Sequence, residues 1–406
     1  MSDRRPWLTS GAVFAAPAAV LLAALPLAPS TPAPGVEWSS MATTAPNGGP
    51  IKVNALRIDR AALAGRRLTV ALAHGHTLSR ERTSAMARHN RALVATNGAV
   101  WGLPAPVSGD PIGVVISNGR LVSEPLEGRS GLLVPRDPAL PPRIATLRFT
   151  GTVTVGARTR IVDGVDRLAG FIPACGGRGG DTPTETPNAT LVCHDASELI
   201  AYNRGFGDRT RPDGGGVEVT VRGGRATAVR TGGSTPIPAD GYVLSGSGDA
   251  AAFLRGVRRG DQVGVDLGID ADGQPIDPAD YAAALGGGPR LLRDGRADID
   301  AAAEGYRPAD DPGWGRRIAD RNPRTMAGID LDGHLILASV DGRQPGYSVG
   351  LSYAEGATLM RALGARDAIN LDGGGSVTMV VGGNVVNSPS DHEGERPVAD
   401  SLEVVP

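Results

Sequence analysis

Short apolar runs of three to six residues, separated by turn-forming residues, dominate the chain from Lys52 onward. Runs of this length, rich in Val, Ile and Leu and bounded by Gly, Pro, Asn and Asp, are typical of β-strands. A chain punctuated this often folds into sheets built from many short strands. Ten runs predict strands at 68–73, 93–96, 113–117, 121–123, 153–155, 217–221, 263–266, 335–340, 368–371 and 377–381.

Helical periodicity occurs in only four places. It predicts helices at 81–91, 250–257, 278–285 and 352–363, the last opening with Ser352 and Glu355 at the spacing of a capping box. Hairpin turns are predicted where two turn formers separate apolar runs, at Asn118-Gly119, Asp332-Gly333 and Gly382-Gly383. Few helices and many hairpins predict an α+β fold of mixed, mainly antiparallel sheets with a few packed helices.

The N-terminus has the order of a secretory signal. Arg4 and Arg5 precede an apolar stretch at 11–25 and a Pro-rich segment at 26–35. The apolar stretch is shorter than the ~20 residues that span a bilayer, so we expect cleavage and no stable membrane insertion afterwards. We expect a protein that is secreted or held in the cell envelope, with the general secretory and twin-arginine routes both open.

The composition excludes some functions and favours a loop disulfide. The 406 residues carry a formal net charge of −2, which argues against a nucleic-acid partner. Cys175 and Cys193 flank a polar segment, and in an exported chain such a pair predicts a disulfide across a surface loop. Two thiols do not make a zinc site. We therefore predict no cofactor; a divalent cation is left open, although no ligand spacing supports one.

The densest chemical signal lies near the C-terminus. The apolar run 368–371 leads directly into Asp372-Gly373-Gly374-Gly375-Ser376. Three glycines let the backbone bend sharply and present successive N–H groups to an anion. The alternative is a glycine-rich turn that Asp372 merely caps. Polar clusters at 322–325, 341–343 and 387–397 favour a site, because polar loops between apolar strands converge on one edge of a sheet.

The order of these motifs resembles the phosphodiester glycosidase family, and the resemblance spans most of the chain after the signal. It implies one such domain at 52–406. Independently of the resemblance, the polar Gly- and Pro-rich stretches at 176–187 and 212–216 suggest a β-rich subdomain inserted at about 144–233. The chain departs from the family pattern at Ala99-Val100-Trp101 and Met326-Ala327, which puts the sugar-contacting surface in question. The motifs that carry the resemblance are Thr96-Asn97-Gly98, Pro323-Arg324-Thr325 running to Asp330, Asp341-Gly342, Ile369-Asn370-Leu371-Asp372-Gly373-Gly374-Gly375-Ser376 and Pro389-Ser390-Asp391-His392.

The resemblance implies hydrolysis of a sugar-1-phosphodiester or a related glycosidic bond. Such a substrate has an anionic phosphate, which needs fixed donors, and an acetal carbon, which one or two carboxylates should flank. For the acetal carbon, Asp372 is the first candidate and Asp391 the second. The donors predicted for the phosphate are Arg324 and the loop residues Gly373, Gly374, Gly375 and Ser376.

Other polar residues near these motifs receive supporting roles. His392, Glu395 and Arg396 are interpreted as positioning groups or acid–base candidates, and Asn97 and Asn370 as donors to sugar hydroxyls. Each has a structural alternative: Arg324 as a buried partner of a carboxylate, His392 as a solvated loop residue, and the two asparagines as partners of buried backbone.

The leading functional hypothesis is an exported hydrolase of glycosyl-1-phosphodiesters, acting on a carbohydrate or glycosyl-phosphate substrate. One alternative is a hydrolase of a phosphate-free glycoside in an envelope polysaccharide. Another is a non-catalytic carbohydrate-binding protein of the envelope. A binder would need exposed aromatic platforms, and beyond the N-terminal region only Trp101 and Trp314 remain as tryptophans, which favours the enzyme.

Overall fold

The structure, a computed structural model, describes residues 30–46, 48–102, 105–174, 192–211, 216–305 and 320–406. Within these ranges, three α-helices accompany many strands: α1 (Thr83–Asn90), α2 (Gly248–Arg255) and α3 (Tyr353–Ala362). Short 3-10 turns occupy Arg60–Gly65, Ala73–Gly75, Pro278–Asp280 and Gly374–Ser376. Almost every strand pairing is antiparallel, which confirms the predicted α+β class and makes the protein mostly β.

The strands are short, as the spacing of turn residues predicts. In chain order they are β1 (Ser30–Ala33), β2 (Val36–Thr44), β3 (Pro50–Ile58), β4 (Arg67–Leu72), β5 (Glu81–Arg82), β6 (Val94–Asn97), β7 (Val115–Ser117), β8 (Arg120–Ser123), β9 (Arg129–Pro135), β10 (Arg143–Phe149), β11 (Thr152–Val155), β12 (Arg158–Ile161), β13 (Gly164–Val165), β14 (Phe171–Pro173), β15 (Val192–His194), β16 (Leu199–Tyr202), β17 (Val217–Arg222), β18 (Arg225–Thr231), β19 (Gly241–Gly246), β20 (Val263–Asp266), β21 (Ile269–Ala271), β22 (Gln274–Ile276), β23 (Tyr281–Gly286), β24 (Arg290–Arg293), β25 (Arg296–Ala297), β26 (Arg324–Ile329), β27 (Leu335–Val340), β28 (Asp367–Asn370), β29 (Met379–Val381), β30 (Asn384–Val385), β31 (Pro397–Val398) and β32 (Asp400–Val405).

Three sheets surround one hydrophobic core. The largest has the order β1-β2-β3-β27-β26-β28-β24-β25, the second β22-β21-β10-β9-β23-β7-β8, and the third β30-β29-β6-β32-β4. Leu56 of the first sheet, Leu132 of the second and Leu402 of the third are buried in the same apolar cluster. The packing brings the C-terminal ends of β6 and β28 together, and these ends carry Asn97 and Asn370.

The first sheet begins earlier in the chain than the predicted domain start at residue 52. β1 and β2 form a hairpin around Gly35 (φ 72°), and β2 pairs with β3. Pro32 and Pro34 are compatible with this position because β1 is an edge strand, where a missing N–H costs no ladder hydrogen bond. The predicted signal segment before residue 30 lies outside the described residues and stays a prediction.

One of the four predicted helices is wrong. Residues 278–285 form a single 3-10 turn followed by β23, which lies between β9 and β7 in the middle of the second sheet. The alanines at 282–284 have high helix propensity, but two neighbouring strands supply backbone partners and decide the outcome. Helix α3 forms as predicted, and its capping box between Ser352 and Glu355 is complete.

A five-stranded sheet, β13-β16-β19-β17-β18, lies within and just beyond the segment predicted as an insertion, and α2 packs against it. Cys193 lies in β15 and is fully buried, whereas Cys175 lies outside the described residues, so the disulfide stays a prediction. No helix in the described ranges is long and apolar enough to cross a membrane.

Candidate active site

Loop 372–376 follows β28 and is hydrogen-bonded to residues at the end of β6. Asn97 is fully buried; its Nδ2 donates to the carbonyl of Asp372 at 2.8 Å, and the Asp372 N–H donates to the carbonyl of Gly98 at 3.1 Å. The Asn97 Oδ1 atom accepts from Thr325 Oγ1 at 2.6 Å and from the Thr378 N–H at 3.1 Å. Asn97 therefore lies behind the loop and fixes its shape, and its predicted contact with sugar has no exposed atom to make it.

The glycines allow charged side chains to pack directly on the loop. A Cβ atom on Gly375 would lie 2.0 Å from Asp391 Oδ1 and 2.3 Å from Arg396 Nη2, so no larger residue fits there. Gly374 has φ +64°, and a Cβ on it would lie 3.0 Å from Arg343 Nη2. The loop is thus flanked by two guanidinium groups and one carboxylate.

Most N–H groups of the loop already have acceptors within the protein. Gly373 N donates to Asp372 Oδ1 at 2.9 Å, Gly374 N to the Pro323 carbonyl at 2.9 Å, and Ser376 N to the Gly373 carbonyl at 3.3 Å. The predicted role of this backbone as an anion nest therefore has few donors left. An anion at the loop would depend on side chains instead.

Asp372 is half-buried at the start of the loop, whereas Asp391 is committed to an ion pair. Both carboxylate oxygens of Asp391 accept from Arg396, at 2.7 Å from Nε and 2.9 Å from Nη2. This two-bond geometry is the strong form of an arginine–carboxylate pair. Asp391 and Arg396 thus support the loop at Gly375, and Asp372 is the carboxylate of the loop itself.

Glu395 contacts the start of α1, and His392 follows Asp391 in the chain. Glu395 accepts from the backbone N–H of Ser84 at 2.7 Å and from its Oγ at 2.6 Å, so it caps the first turn of α1. A carboxylate at this end also complements the helix dipole. His392 is exposed. The acid–base roles predicted for these two residues stay predictions.

The cap makes a clear prediction for Glu395. Replacing it with Ala should lower the free energy of unfolding by about 1–2 kcal/mol, because α1 loses the acceptor for its first turn. Glu395→Gln keeps one acceptor oxygen and should recover much of the loss. Thermal melts and turnover of both variants check this; a large loss of turnover at an unchanged melting temperature would restore the predicted catalytic role.

Arg324 is buried and its guanidinium contacts protein groups. Nε donates to the Leu351 carbonyl at 2.9 Å, Nη2 to the Asp320 carbonyl at 3.1 Å, and the group lies 4.0 Å over the ring of Tyr353. Burial lowers the pKa of the Arg324 guanidinium. These contacts join β26 to the start of α3, and the predicted contact of Arg324 with phosphate stays a prediction.

Asn370 and Ser376 are also buried around the loop. Asn370 Nδ2 donates to the carbonyls of Gly288 at 3.2 Å and Leu371 at 2.6 Å. Within the described ranges, Asn370 Oδ1 and Ser376 Oγ have no hydrogen-bond partner. Their predicted contacts with substrate remain predictions, since both side chains are at most 4% exposed.

Asp400 is a site residue that sequence reasoning missed. It starts β32, is 1% exposed, and accepts the Ala99 N–H at 2.9 Å through Oδ1, while Oδ2 has no partner among the described residues. A Cβ on Gly98 would lie 2.0 Å from Asp400 Oδ1. Burial, reinforced by the nearby charge of Asp372, raises the pKa of Asp400 to about 7. In the sequence, the one feature that could have indicated Asp400 is its place as an acidic residue at the start of an apolar run.

Arg343 is the second missed residue. It is exposed, has φ 60°, and donates from Nε to Asn322 Oδ1 at 3.1 Å while its Nη groups face Gly374. Buried Asp341 holds this hairpin against the 387–391 segment by accepting from Asn387 Nδ2 at 3.1 Å and the Ser388 N–H at 2.9 Å. Burial raises the pKa of Asp341. The Asp341-Gly342-Arg343 string marked this loop, but its arginine was not singled out.

One group of side chains has the spacing of a cation site. Asp330, Asp332 and His334 offer ligand atoms within 4.8 Å of one another in the turn between β26 and β27. Asp330 already accepts from the N–H groups of Asp332 at 3.0 Å and His334 at 2.9 Å, and from Arg57 Nη2 at 3.0 Å. This pattern is that of a hairpin turn, and the turn lies at the opposite end of β26 from loop 372–376.

Comparisons with known proteins identify relatives of this chain. A family model described as phosphodiester glycosidase matches residues 215–405. N-acetylglucosamine-1-phosphodiester alpha-N-acetylglucosaminidase of Mus musculus is 28% identical over 247 residues, which cover 60% of this chain and 43% of that protein. Its Bos taurus counterpart is 36% identical over 104 residues, 25% of this chain and 19% of that protein. The chain therefore spans less than half the length of these curated relatives.

Solved structures extend the similarity over most of the chain. A Burkholderia pseudomallei protein described as exported is 34% identical, with a TM-score of 0.78, and the match covers 88% of this chain and 75% of that one. A Synechocystis protein with 20% identity and a TM-score of 0.69 shares the fold; that match covers 91% of this chain and 62% of the other. The family model and the mouse relative both name this kind of enzyme, and the chain belongs to the phosphodiester glycosidase family.

Proposed function

We propose that the protein is an exported glycosidase that hydrolyses glycosyl-1-phosphodiesters at loop 372–376. The observation that carries the proposal is the position of an exposed guanidinium, that of Arg343, against Gly374, two residues from the Asp372 carboxylate. A planar guanidinium binds two phosphate oxygens at once, and a carboxylate stabilises a positive acetal carbon. In this proposal the Arg343 guanidinium binds the phosphate and the Asp372 carboxylate faces the acetal carbon, the two groups that the scissile bond joins.

In the proposed reaction, water adds to the anomeric carbon while the bond from that carbon to the bridging phosphate oxygen breaks. The products are the free sugar and a phosphate monoester, and one proton is released. A phosphate monoester is a good leaving group, so it needs little help from a general acid. The ion-paired state of Asp391 and the exposure of His392 are compatible with such a reaction.

Asp372 acts as the carboxylate that faces the acetal carbon, and Asp400 sets its charge state. Below about pH 7 the buried Asp400 carboxyl is protonated, so the pair carries a single negative charge on the more exposed Asp372. Asn97, Arg324 and the Asp391–Arg396 pair are positioning residues in this scheme, because each holds a segment that borders the loop.

The direct test is incubation of the purified protein with matched pairs of substrates, glycosyl methyl phosphodiesters and aryl glycosides of the same sugars, with and without a chelator. The proposal expects turnover of phosphodiesters. Turnover of aryl glycosides alone would identify the phosphate-free glycosidase instead, and binding of sugars without turnover would identify the non-catalytic carbohydrate-binding protein.

Arg343 offers a specific test of phosphate recognition. Arg343→Lys should lower kcat/KM for a phosphodiester by about tenfold or more, because the two-bond contact with phosphate is lost. Arg230→Lys, a change at an exposed arginine on β18, serves as the control and should have no effect. Equal kcat/KM values for wild type and Arg343→Lys would remove Arg343 from the phosphate site.

Export is part of the proposal and is supported by two observations. Arg4, Arg5 and the apolar stretch 11–25 have the order of a secretory signal, and the structurally similar Burkholderia protein is described as exported. N-terminal sequencing of protein recovered from the culture medium or envelope would show whether the leader is removed.

A further inference from the structure

A groove lined by four arginines lies at the other end of β4 from the active site. Arg60, Arg66, Arg67 and Arg136 border a space of about 280 Å³, and no carboxylate lines it among the described residues. We call this surface the arginine groove. Its concentration of positive charge is unusual in a chain whose formal net charge is −2.

None of the four guanidinium groups is neutralised within the described part of the chain. Arg136 donates to the carbonyls of Ala279 and Asn118, Arg66 to that of Pro34, and Arg60 to that of Ala139 at 3.4 Å. Arg67 is exposed. Carbonyl acceptors orient a guanidinium without cancelling its charge, so the groove retains a positive field that favours an anion.

A polar cleft continues from the arginine groove along β4. The cleft has a volume of about 360 Å³, shares Arg67 and Asn118 with the groove, and extends to Leu72. β4 is the last strand of its sheet, so the cleft follows a free strand edge. Leu72 pairs with Asp400 and Arg67 pairs with Val405, so the two ends lie five residues, or about 17 Å, apart.

Resting on the function proposed above, we propose that the arginine groove and the adjoining cleft bind a phosphate-bearing glycan chain. They would hold the part of a polymeric substrate that lies several units from the bond being broken. The guanidinium groups around the arginine groove would hold phosphates of this chain. The cleft beyond Arg67, which is lined by the carboxylate of Glu81, would hold its sugar units. The exposed Leu140 at the groove provides an apolar surface for the face of a sugar ring.

The lining residues favour a glycan over other polyanions. No Phe, Tyr or Trp lines the groove or the cleft among the described residues, so bases of a single-stranded nucleic acid would have no stacking platform. Leu140, 55% exposed, is the one strongly exposed apolar side chain at the groove in the described ranges. A membrane-binding surface needs several such side chains.

The test measures binding of the full chain to yeast phosphomannan, with the same mannan after removal of its phosphate as reference. The groove variant is Arg67→Ala/Arg136→Ala, and the matched control is Arg230→Ala/Arg259→Ala, which removes two exposed arginines from the region of β18 and β20. We expect the groove variant to bind phosphomannan about tenfold more weakly or worse, the control to match wild type, and added salt to weaken binding.

Absence of wild-type binding, equal losses in both variants, or equal binding of dephosphorylated mannan, phosphatidylglycerol vesicles or single-stranded DNA would each overturn the inference. Turnover of a short glycosyl methyl phosphodiester separates this inference from the proposed function. The groove variant should keep wild-type turnover of that short substrate. If the wild type turned over no phosphodiester, the proposed function would fail while the binding result stood.

Discussion

Replacing Asp372 with Asn should lower turnover of a glycosyl-1-phosphodiester by about a hundredfold or more and leave the melting temperature nearly unchanged. The amide oxygen of Asn can still accept the Gly373 N–H that Asp372 Oδ1 accepts at 2.9 Å, so the loop keeps its shape. The negative charge that faces the developing positive carbon is lost. Steady-state kinetics and thermal melts of the variant and wild type, side by side, measure both quantities.

Asp391→Asn is the matched control for that experiment. Asp391 also borders the loop, but its carboxylate is paired with Arg396, so its loss should act on loop stability more than on chemistry. Near-normal turnover of Asp372→Asn, or an activity loss that only follows its melting temperature, would show that Asp372 caps the glycine turn without a catalytic role.

The second large effect is the pH dependence of stability that comes from Asp400. Burial raises the pKa of Asp400 from its usual 3.8 to about 7 in the folded protein, so the folded state holds a proton that the unfolded chain releases. Protonated Asp400 therefore makes its full contribution to the free energy of unfolding below about pH 4. This contribution falls by about 4 kcal/mol in total as the pH rises towards 7. Above pH 7 both states are ionised and this contribution no longer changes.

Asp400→Asn removes that titration. As the pH rises from 4.5 to 8, the free energy of unfolding should fall less for Asp400→Asn than for wild type. Denaturant unfolding at a series of pH values measures it. Parallel curves for wild type and variant would mean that Asp400 titrates normally and is not coupled to Asp372.

The sequence predicted the strands and the main loop of the site because both depend on local pattern. The Asn118-Gly119 and Gly382-Gly383 pairs form the expected hairpins, with positive φ at both positions of each. Loop 372–376 follows a buried strand, as the apolar run before it and its three glycines predicted. The helix prediction for residues 278–285 was wrong because helix propensity depends on local sequence, whereas β23 pairs with β9 and β7, which are distant in the chain.

The partners of the site residues depended on contacts between distant parts of the chain. Ser84, which Glu395 caps, is 311 positions away, and Ala99, whose N–H Asp400 accepts, is 301 positions away. Arg324 shows the same limit: a basic residue before a strand matches an anion site, but here the side chain turns towards Tyr353. Sequence spacing does not reveal which way such a side chain points.

Hydrolysis of a glycosyl methyl phosphodiester in water enriched in oxygen-18 would identify the bond that the protein breaks. A glycosidase breaks the bond between the anomeric carbon and oxygen, so the label should appear on the sugar, and methyl phosphate should carry none. Asp372→Asn, run in parallel, should give little product of either kind. Label in the phosphate product would contradict the account, because it would mean attack at phosphorus.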